Sequence, residues 1–328
     1  MVVGLTAALA VAVGSVAPWA AFAFGYPGKM TLSGFPGGAR LFCLVLAAVA
    51  AAGVLFGTTF VVVQDAVEHA DVVPFLAVRF LLGALVLLPF ARRAPRQAGR
   101  FRAGVVAGGV LLAGYLFQTV GLQYTTPPVS AFVTYLLVVI VPVLSAVLLR
   151  RKPTREVVAG VGLAAVGLVL LTGDAVGSID LDQGELLTLG CAFAFAVHIL
   201  LLAEFAPRYD AIALTAVQLA VVGLVLLGPG LFLGGYGFPP RAWVAAAYTG
   251  VTVSAVAFAL QVWGQRRVGP TRASLLLMLE PVAAAAVGYA SGDGPAPAAA
   301  VGAVLILAGV AVAETPLLLR PTRHPDRS

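Results

Sequence analysis

Ten apolar runs, each about as long as a bilayer is thick, constrain this chain more than anything else in it. A helix needs about 20 mostly apolar residues to cross the hydrocarbon core. Runs of that kind lie at residues 42–64, 73–91, 103–122, 128–149, 156–174, 185–203, 211–231, 242–264, 273–290 and 297–315. The connections are short, so no separate soluble domain fits between them. Of the 328 residues, 61% are hydrophobic and 10% charged, where a soluble domain carries roughly 25% charged residues. A water-soluble globule of this composition could not cover its apolar surface, which excludes a cytosolic enzyme and a disordered chain. In lipid every backbone polar group must be satisfied within the protein. The expected fold is therefore an all-α integral membrane protein, a ten-helix bundle.

Charge orients the bundle. Lys and Arg collect on the cytoplasmic side of membrane proteins, and one alternation of the ten spans satisfies nearly all of the 20 basic residues here. The inner side then holds Lys29 and Arg40, the cluster Arg92–Arg102, the run Arg150–Arg155, Arg208, Arg266, Arg267, Arg272 and the C-terminal arginines. Only Arg241 falls outside and Arg79 falls within a span. The outer loops carry Asp65, Glu68, Asp71, Asp174, Asp180, Asp182, Glu185 and Asp293. This places both ends of the core in the cytoplasm of a multi-pass plasma-membrane protein. It also accounts for the net charge of +6 without nucleic acid, since no aromatic platform lies between the Arg92–Arg102 charges.

Residues 1–40 stand apart as an N-terminal extension. Met1 to Phe24 is apolar but lacks the positive leader of a signal peptide. It reads as an extra helix or a mis-assigned start, with Met30 as an alternative beginning. The remainder divides into a first five-helix repeat, 41–174, a second, 175–316, and a cytoplasmic tail, 317–328. Gly121-Leu122-Gln123-Tyr124 and Pro127 before span four match Gly264-Gln265-Arg266-Arg267 and Pro270 before span nine. Val141-Pro142-Val143 matches Glu280-Pro281-Val282, and the glycines of span five (Gly160, Gly162, Gly167) match those of span ten (Gly302, Gly309). Five spans per half is odd, so the halves are inverted repeats. That is the architecture of secondary transporters, with a substrate site near the midplane between the halves.

In its order of motifs the chain resembles the EamA family of the drug/metabolite transporter superfamily over about residues 41–316. The resemblance rests on Phe56-Gly57-Thr58-Thr59-Phe60, Phe75-Leu76-Ala77-Val78-Arg79-Phe80, Gly121-Leu122-Gln123-Tyr124-Thr125-Thr126 with the Pro142 helix, Leu279-Glu280-Pro281-Val282, and Gly302 through Gly309. It implies ten helices, cytoplasmic termini and transport of small metabolites, commonly export. Two departures stand out. Gly292-Asp293 replaces the family's Gly-Glu, which trims a loop, and Phe56 stands where a Trp is frequent, which reshapes the cavity wall.

Polar groups inside the spans are the candidates for substrate binding or coupling. An ionisable side chain at the centre of a lone helix costs about 2.5–3.5 kcal/mol on insertion scales. Glu280, beside the helix-loosening Pro281, is a proton acceptor or a contact for a cationic group; its plainer reading is a buried structural carboxyl. Arg79 suits an anionic substrate group or an ion pair with Glu280 that locks the halves; its plainer reading is snorkelling to the headgroups. His198 could shuttle protons or merely bond a neighbour. Gln118, Gln218, Gln261, Thr58, Thr59, Tyr135 and Trp263 could line a polar cavity or bond between helices. Gly53-x-x-x-Gly57 and Gly104-x-x-x-Gly108 are packing motifs. Glu68, His69 and Asp71 form an outer cluster better read as a solvated loop than as a metal site. Cys43 and Cys191 lie in apolar runs and read as small core residues, with no disulfide or metal spacing.

No phosphate-cradling loop, metalloprotease motif or paired-Asp motif occurs, so neither an ATPase nor a membrane protease is indicated, and no cofactor. The function expected is secondary transport of a small-molecule substrate by alternating access, outward and proton-coupled. A scaffold, or an enzyme with a lipid-accessible cavity, is the alternative. The partners are that substrate and the lipid bilayer; monomer and homodimer both stay open.

Overall fold

The computed structural model describes residues 37–173, 182–290 and 297–319; the expectations for residues 1–36 and for the end of the tail lie outside these. The described elements are all helical: α1 (Gly37–Gly57), α2 (Thr59–Val67), α3 (Val72–Arg93), α4 (Arg100–Gly121), α5 (Pro127–Tyr135), α6 (Leu137–Leu148), α7 (Arg155–Thr172), α8 (Gln183–Phe205), α9 (Ala211–Phe232), α10 (Pro240–Tyr248), a π-helical segment (Thr249–Ala257), α11 (Phe258–Gln265), α12 (Pro270–Leu277), α13 (Leu279–Ala290) and α14 (Pro297–Leu319). A 22-residue helix such as α3 rises about 33 Å at 1.5 Å per residue, enough to cross the hydrocarbon core. Among the described residues, eight helical segments are long and apolar enough to span. The two other expected crossings are each broken, span one at Thr58 and span nine at Met278.

Local sequence explains where helices begin. Pro127, Pro240, Pro270 and Pro297 open α5, α10, α12 and α14, where a missing N–H costs nothing because the first turn has no acceptor for it. Asp210 caps α9 by accepting from the Ala213 amide at 2.9 Å. Spans four and nine share one plan, a Pro-initiated short helix, a break at Leu136 or Met278, and a 12-residue helix.

The packing is symmetric under exchange of the halves. α7 pairs with α14, and α3 with α9; α4 packs on α8 and α9 as the π segment and α11 pack on α1 and α3. Glycines permit the closest crossings. A Cβ on Gly160 would sit 2.5 Å from the Gly309 carbonyl oxygen, and one on Gly309 equally close to that of Gly160. Gly167 and Gly302 repeat this arrangement two turns away. Gly57 meets the Glu280 carbonyl, and Gly104 and Gly108 meet Val217 and Gln218 of α9, so both small-residue motifs are packing contacts. Tight approach of this kind replaces the hydrophobic drive that lipid cannot supply.

Helix ends gather into two groups. At one, Gln97 donates to the Arg208 carbonyl at 3.2 Å and accepts from the Asp210 amide at 2.7 Å, while Glu204 pairs with Arg151 and Arg208. At the other, the Thr125 hydroxyl bonds the Glu185 carboxylate, and Asp71 lies against Gly234. Each group comes from loops that the charge pattern assigns to one face. Glu185 is buried in the first turn of α8 rather than solvated in a loop. The outward faces present Leu85, Val147, Leu231 and Val304, the surface a lipid-embedded bundle requires. Cys191 is buried, Cys43 half-buried, and both are free thiols.

Candidate functional site

The middle of the bundle is hollow. A cavity of about 330 Å³ is lined by residues of α1, α2, α3, α4, α5, α6, α8, α11, α12 and α13, so both halves contribute walls. Exposed Glu68 and Gln123 stand at its rim, at the end opposite the basic loops. One helical turn beyond its floor at His198 and Gln261, the bundle closes. Leu202, Ala206, Leu214, Val262 and Ala103 pack there into an apolar cluster flanked by Phe205, Tyr209 and Trp263.

Arg79 and Glu280 both line this cavity. Arg79 is only 3% exposed, so it does not snorkel. Its Nε donates to Ser254 Oγ at 3.2 Å, and its guanidinium carbon lies 5.2 Å from the Tyr115 ring centre and 5.4 Å from that of Phe80. Such cation–π contacts offset part of the cost of a buried charge. Ser254 sits on the π-helical segment, and the neighbouring Gly250 lets that segment meet the Arg79 backbone carbonyl. π-helical turns often mark functional sites because they re-aim side chains. Among the described residues no ion pair joins Arg79 to Glu280, so no such pair locks the halves in this structure. Glu280 instead neighbours the Tyr135 hydroxyl. Tyr135, Thr134 and Ser130 are buried on α5, and among the described residues their hydroxyls have no partner in hydrogen-bonding geometry.

His198 faces the cavity from α8, and its Nε2 lies 2.7 Å from Gln218 Oε1. The Gln218 amide nitrogen donates in turn to the Leu214 carbonyl. With the amide so oriented, Nε2 is the donor and Nδ1 is left as acceptor. Gln118, Gln261, Thr59 and Tyr135 also line the cavity. Gln218, Thr58 and Trp263 do not. Gln218 orients His198, Thr58 bonds the Leu55 carbonyl and the Tyr248 hydroxyl, and Trp263 lines a smaller recess with Asp210 and Arg266. Sequence reasoning missed Tyr115, Thr134 and Ser254. Tyr115 carries the aromatic wall, edge-on to Phe80 at 4.7 Å and to Phe195 at 5.4 Å. Its position three residues before Gln118 on the same helix face was the available signal. Asp65, Glu68 and His69 cluster at the rim, with Asp71 turned away to Gly234.

Comparison with known proteins places these features in context. The model of the EamA-like transporter family matches residues 42–173 and again 182–315. An uncharacterized transporter of Archaeoglobus fulgidus is 33% identical over 151 residues, a match spanning 46% of each chain; the chain thus aligns with under half of that relative's length. A second from the same organism is 28% identical over 81% of this chain and 95% of its own. Uncharacterized transporter YyaM of Bacillus subtilis is 24% identical, with 78% and 89% covered. A crystal structure at 22% identity superposes with a TM-score of 0.69 over 83% of this chain and 98% of the other, a likeness of fold.

Proposed function

This chain belongs to the EamA-like transporter family, and we propose that it is a secondary transporter that moves a small metabolite outward across the plasma membrane by alternating access, coupled to proton entry. The observation that carries the reading is the central cavity, built from both halves, open at one end and sealed by an apolar plug at the other. A hollow centre lined by Arg79 and Glu280 is of no use to a scaffold, and relatives over most of their length are named transporters. Two similar halves of opposite orientation can exchange conformations and present the same site to either side.

Within this reading the inversion places the halves at 41–174 and 175–316, and the charge alternation puts both core termini in the cytoplasm. The substrate occupies the cavity between Arg79 and Glu280, while Gln118, Gln261, Thr59 and Tyr135 supply neutral hydrogen-bonding groups. Glu280 is the proton carrier: an intramembrane carboxyl is costly and stays where it does work. His198 and Gln218 shape the floor. The test is reconstitution in liposomes, after metabolites have been screened for thermal stabilisation of the purified protein. Uptake of a stabilising metabolite should accelerate when a pH gradient is imposed. Uptake that ignores the gradient for every such metabolite rejects proton coupling, and no translocation of any rejects the transporter.

A further inference from the structure

Arg79 is a charge without a counter-ion. It is 97% buried, lines the cavity, and has no carboxylate within ion-pair distance among the described residues. A guanidinium in that position is expensive unless it is paired, and aromatic faces, one serine and the neighbouring Tyr115 hydroxyl compensate only part of the cost. The ways its nitrogens are engaged decide what can complete it. A planar two-oxygen anion can meet a guanidinium side-on, through Nε and one terminal nitrogen, or end-on, through both terminal nitrogens. Ser254 occupies Nε, which leaves the end-on approach. Tyr115 and Phe80 pack together against one side of the group, their ring centres 4.7 Å apart.

We infer that Arg79, held by Ser254 of the π-helical segment, is an end-on seat for the carboxylate of a ligand whose body is apolar. The body faces an apolar wall: Phe56, Phe195, Phe258, Leu111 and Leu277 line the same cavity. Ser254 is a positioning residue. It belongs to the second half and Arg79 to the first, so the Arg79–Ser254 bond already joins the halves at the seat. Gly250 and Gly83 make this closeness possible: a Cβ on Gly250 would meet the Arg79 carbonyl at 2.7 Å, and one on Gly83 the Ser254 Cβ at 2.9 Å. This rests on the cavity being the substrate site.

The probes are acetate, hexanoate and benzoate, each measured against its uncharged amide by thermal shift of the purified full-length protein at matched ionic strength. A ligand that binds only the folded state raises its apparent stability. At least one carboxylate should stabilise saturably where its amide does not, with hexanoate and benzoate above acetate. Arg79→Gln should abolish the effect; it carries no charge and so lowers the burial cost. Ser254→Ala should weaken apparent affinity at least about tenfold, the loss of one hydrogen bond to a charged group, and Ser254→Thr should restore it. Nε–H of Arg79, followed by 15N arginine labelling, should lose its protection from exchange in Ser254→Ala and keep it in Ser254→Thr. If no carboxylate exceeds its amide, the seat is overturned. Unchanged affinity and Nε–H protection in Ser254→Ala overturn the positioning role. Carboxylate binding without flux in liposomes rejects the transport reading and leaves the seat standing; flux of a substrate indifferent to Arg79→Gln does the reverse.

Discussion

Glu280 and Arg79 share one cavity without touching, and that separation sets what each can do. A carboxylate locked to a guanidinium would be a structural strut. Free of it, Glu280 has the Tyr135 hydroxyl as a neighbour and, under the proposed mechanism, is the group that binds and releases the proton. Glu280→Gln is therefore expected to abolish gradient-driven transport in liposomes while leaving substrate-for-substrate exchange and the melting temperature close to wild type. Wild-type gradient-driven transport by the folded variant would make the carboxyl incidental. Gln218→Leu removes the acceptor that fixes His198 and leaves a buried imidazole N–H unpaired, a loss of about 1–3 kcal/mol. A lower melting temperature checks that. Much of this site was legible one residue at a time, because a polar group inside an apolar run is conspicuous. Which way each one points was not. Thr58 and Thr59 are adjacent, yet one bonds Tyr248 and the other faces the cavity. Trp263 belongs to another recess. Adjacent positions on a helix are turned by about 100°, and only the packed bundle says which direction is inward.

At the scale of elements, hydropathy located the crossings but not their interruptions. The breaks at Thr58, Leu136 and Met278 and the π-helical segment fall inside continuous apolar runs. Of these, the break at Met278 has a local mark in Pro281, whose missing N–H cannot bond the Leu277 carbonyl; the others answer to neighbours. The glycine motifs behave oppositely: their sequence spacing is plain and the structure fills it with a partner. That contrast yields a measurement. Gly160→Ala puts a Cβ 2.5 Å from the Gly309 carbonyl oxygen, whereas one at Gly162 meets nothing within 4 Å. Overpacking of this kind costs about 1–3 kcal/mol. Thermal unfolding in detergent should place Gly160→Ala well below wild type and Gly162→Ala at or above it. Equal effects would mean that the α7–α14 crossing adjusts freely and does not hold the halves in register.

The molecule as a whole is asymmetric about its cavity: the rim at Glu68 and Gln123 is open, and the end beside the basic loops is shut. Charge patterning made the two faces readable in the sequence; which of them the cavity opens to depends on packing between loops distant in the chain, which hydropathy does not encode. The shut end has two layers. Beneath the apolar plug lie Gln97, bonded to both Arg208 and Asp210, and Glu204, paired with Arg151 and Arg208. The ion pairs are partly exposed and contribute about 0–1 kcal/mol each, and the two neutral hydrogen bonds about 1 kcal/mol each. These are small amounts, which is what the proposed alternating access requires of this end. An impermeant maleimide should label a cysteine at Gln123 readily and one at Ala206, buried in the plug, slowly from either face. Adding Gln97→Ala and Glu204→Ala to the Ala206→Cys protein removes about 2 kcal/mol of closure, a shift of roughly thirtyfold in the open-to-shut ratio. Labelling at Ala206→Cys from the basic face should rise accordingly while that at Gln123→Cys falls. If labelling at Ala206→Cys does not change, these loops do not hold the cavity shut, and closure rests on the plug alone.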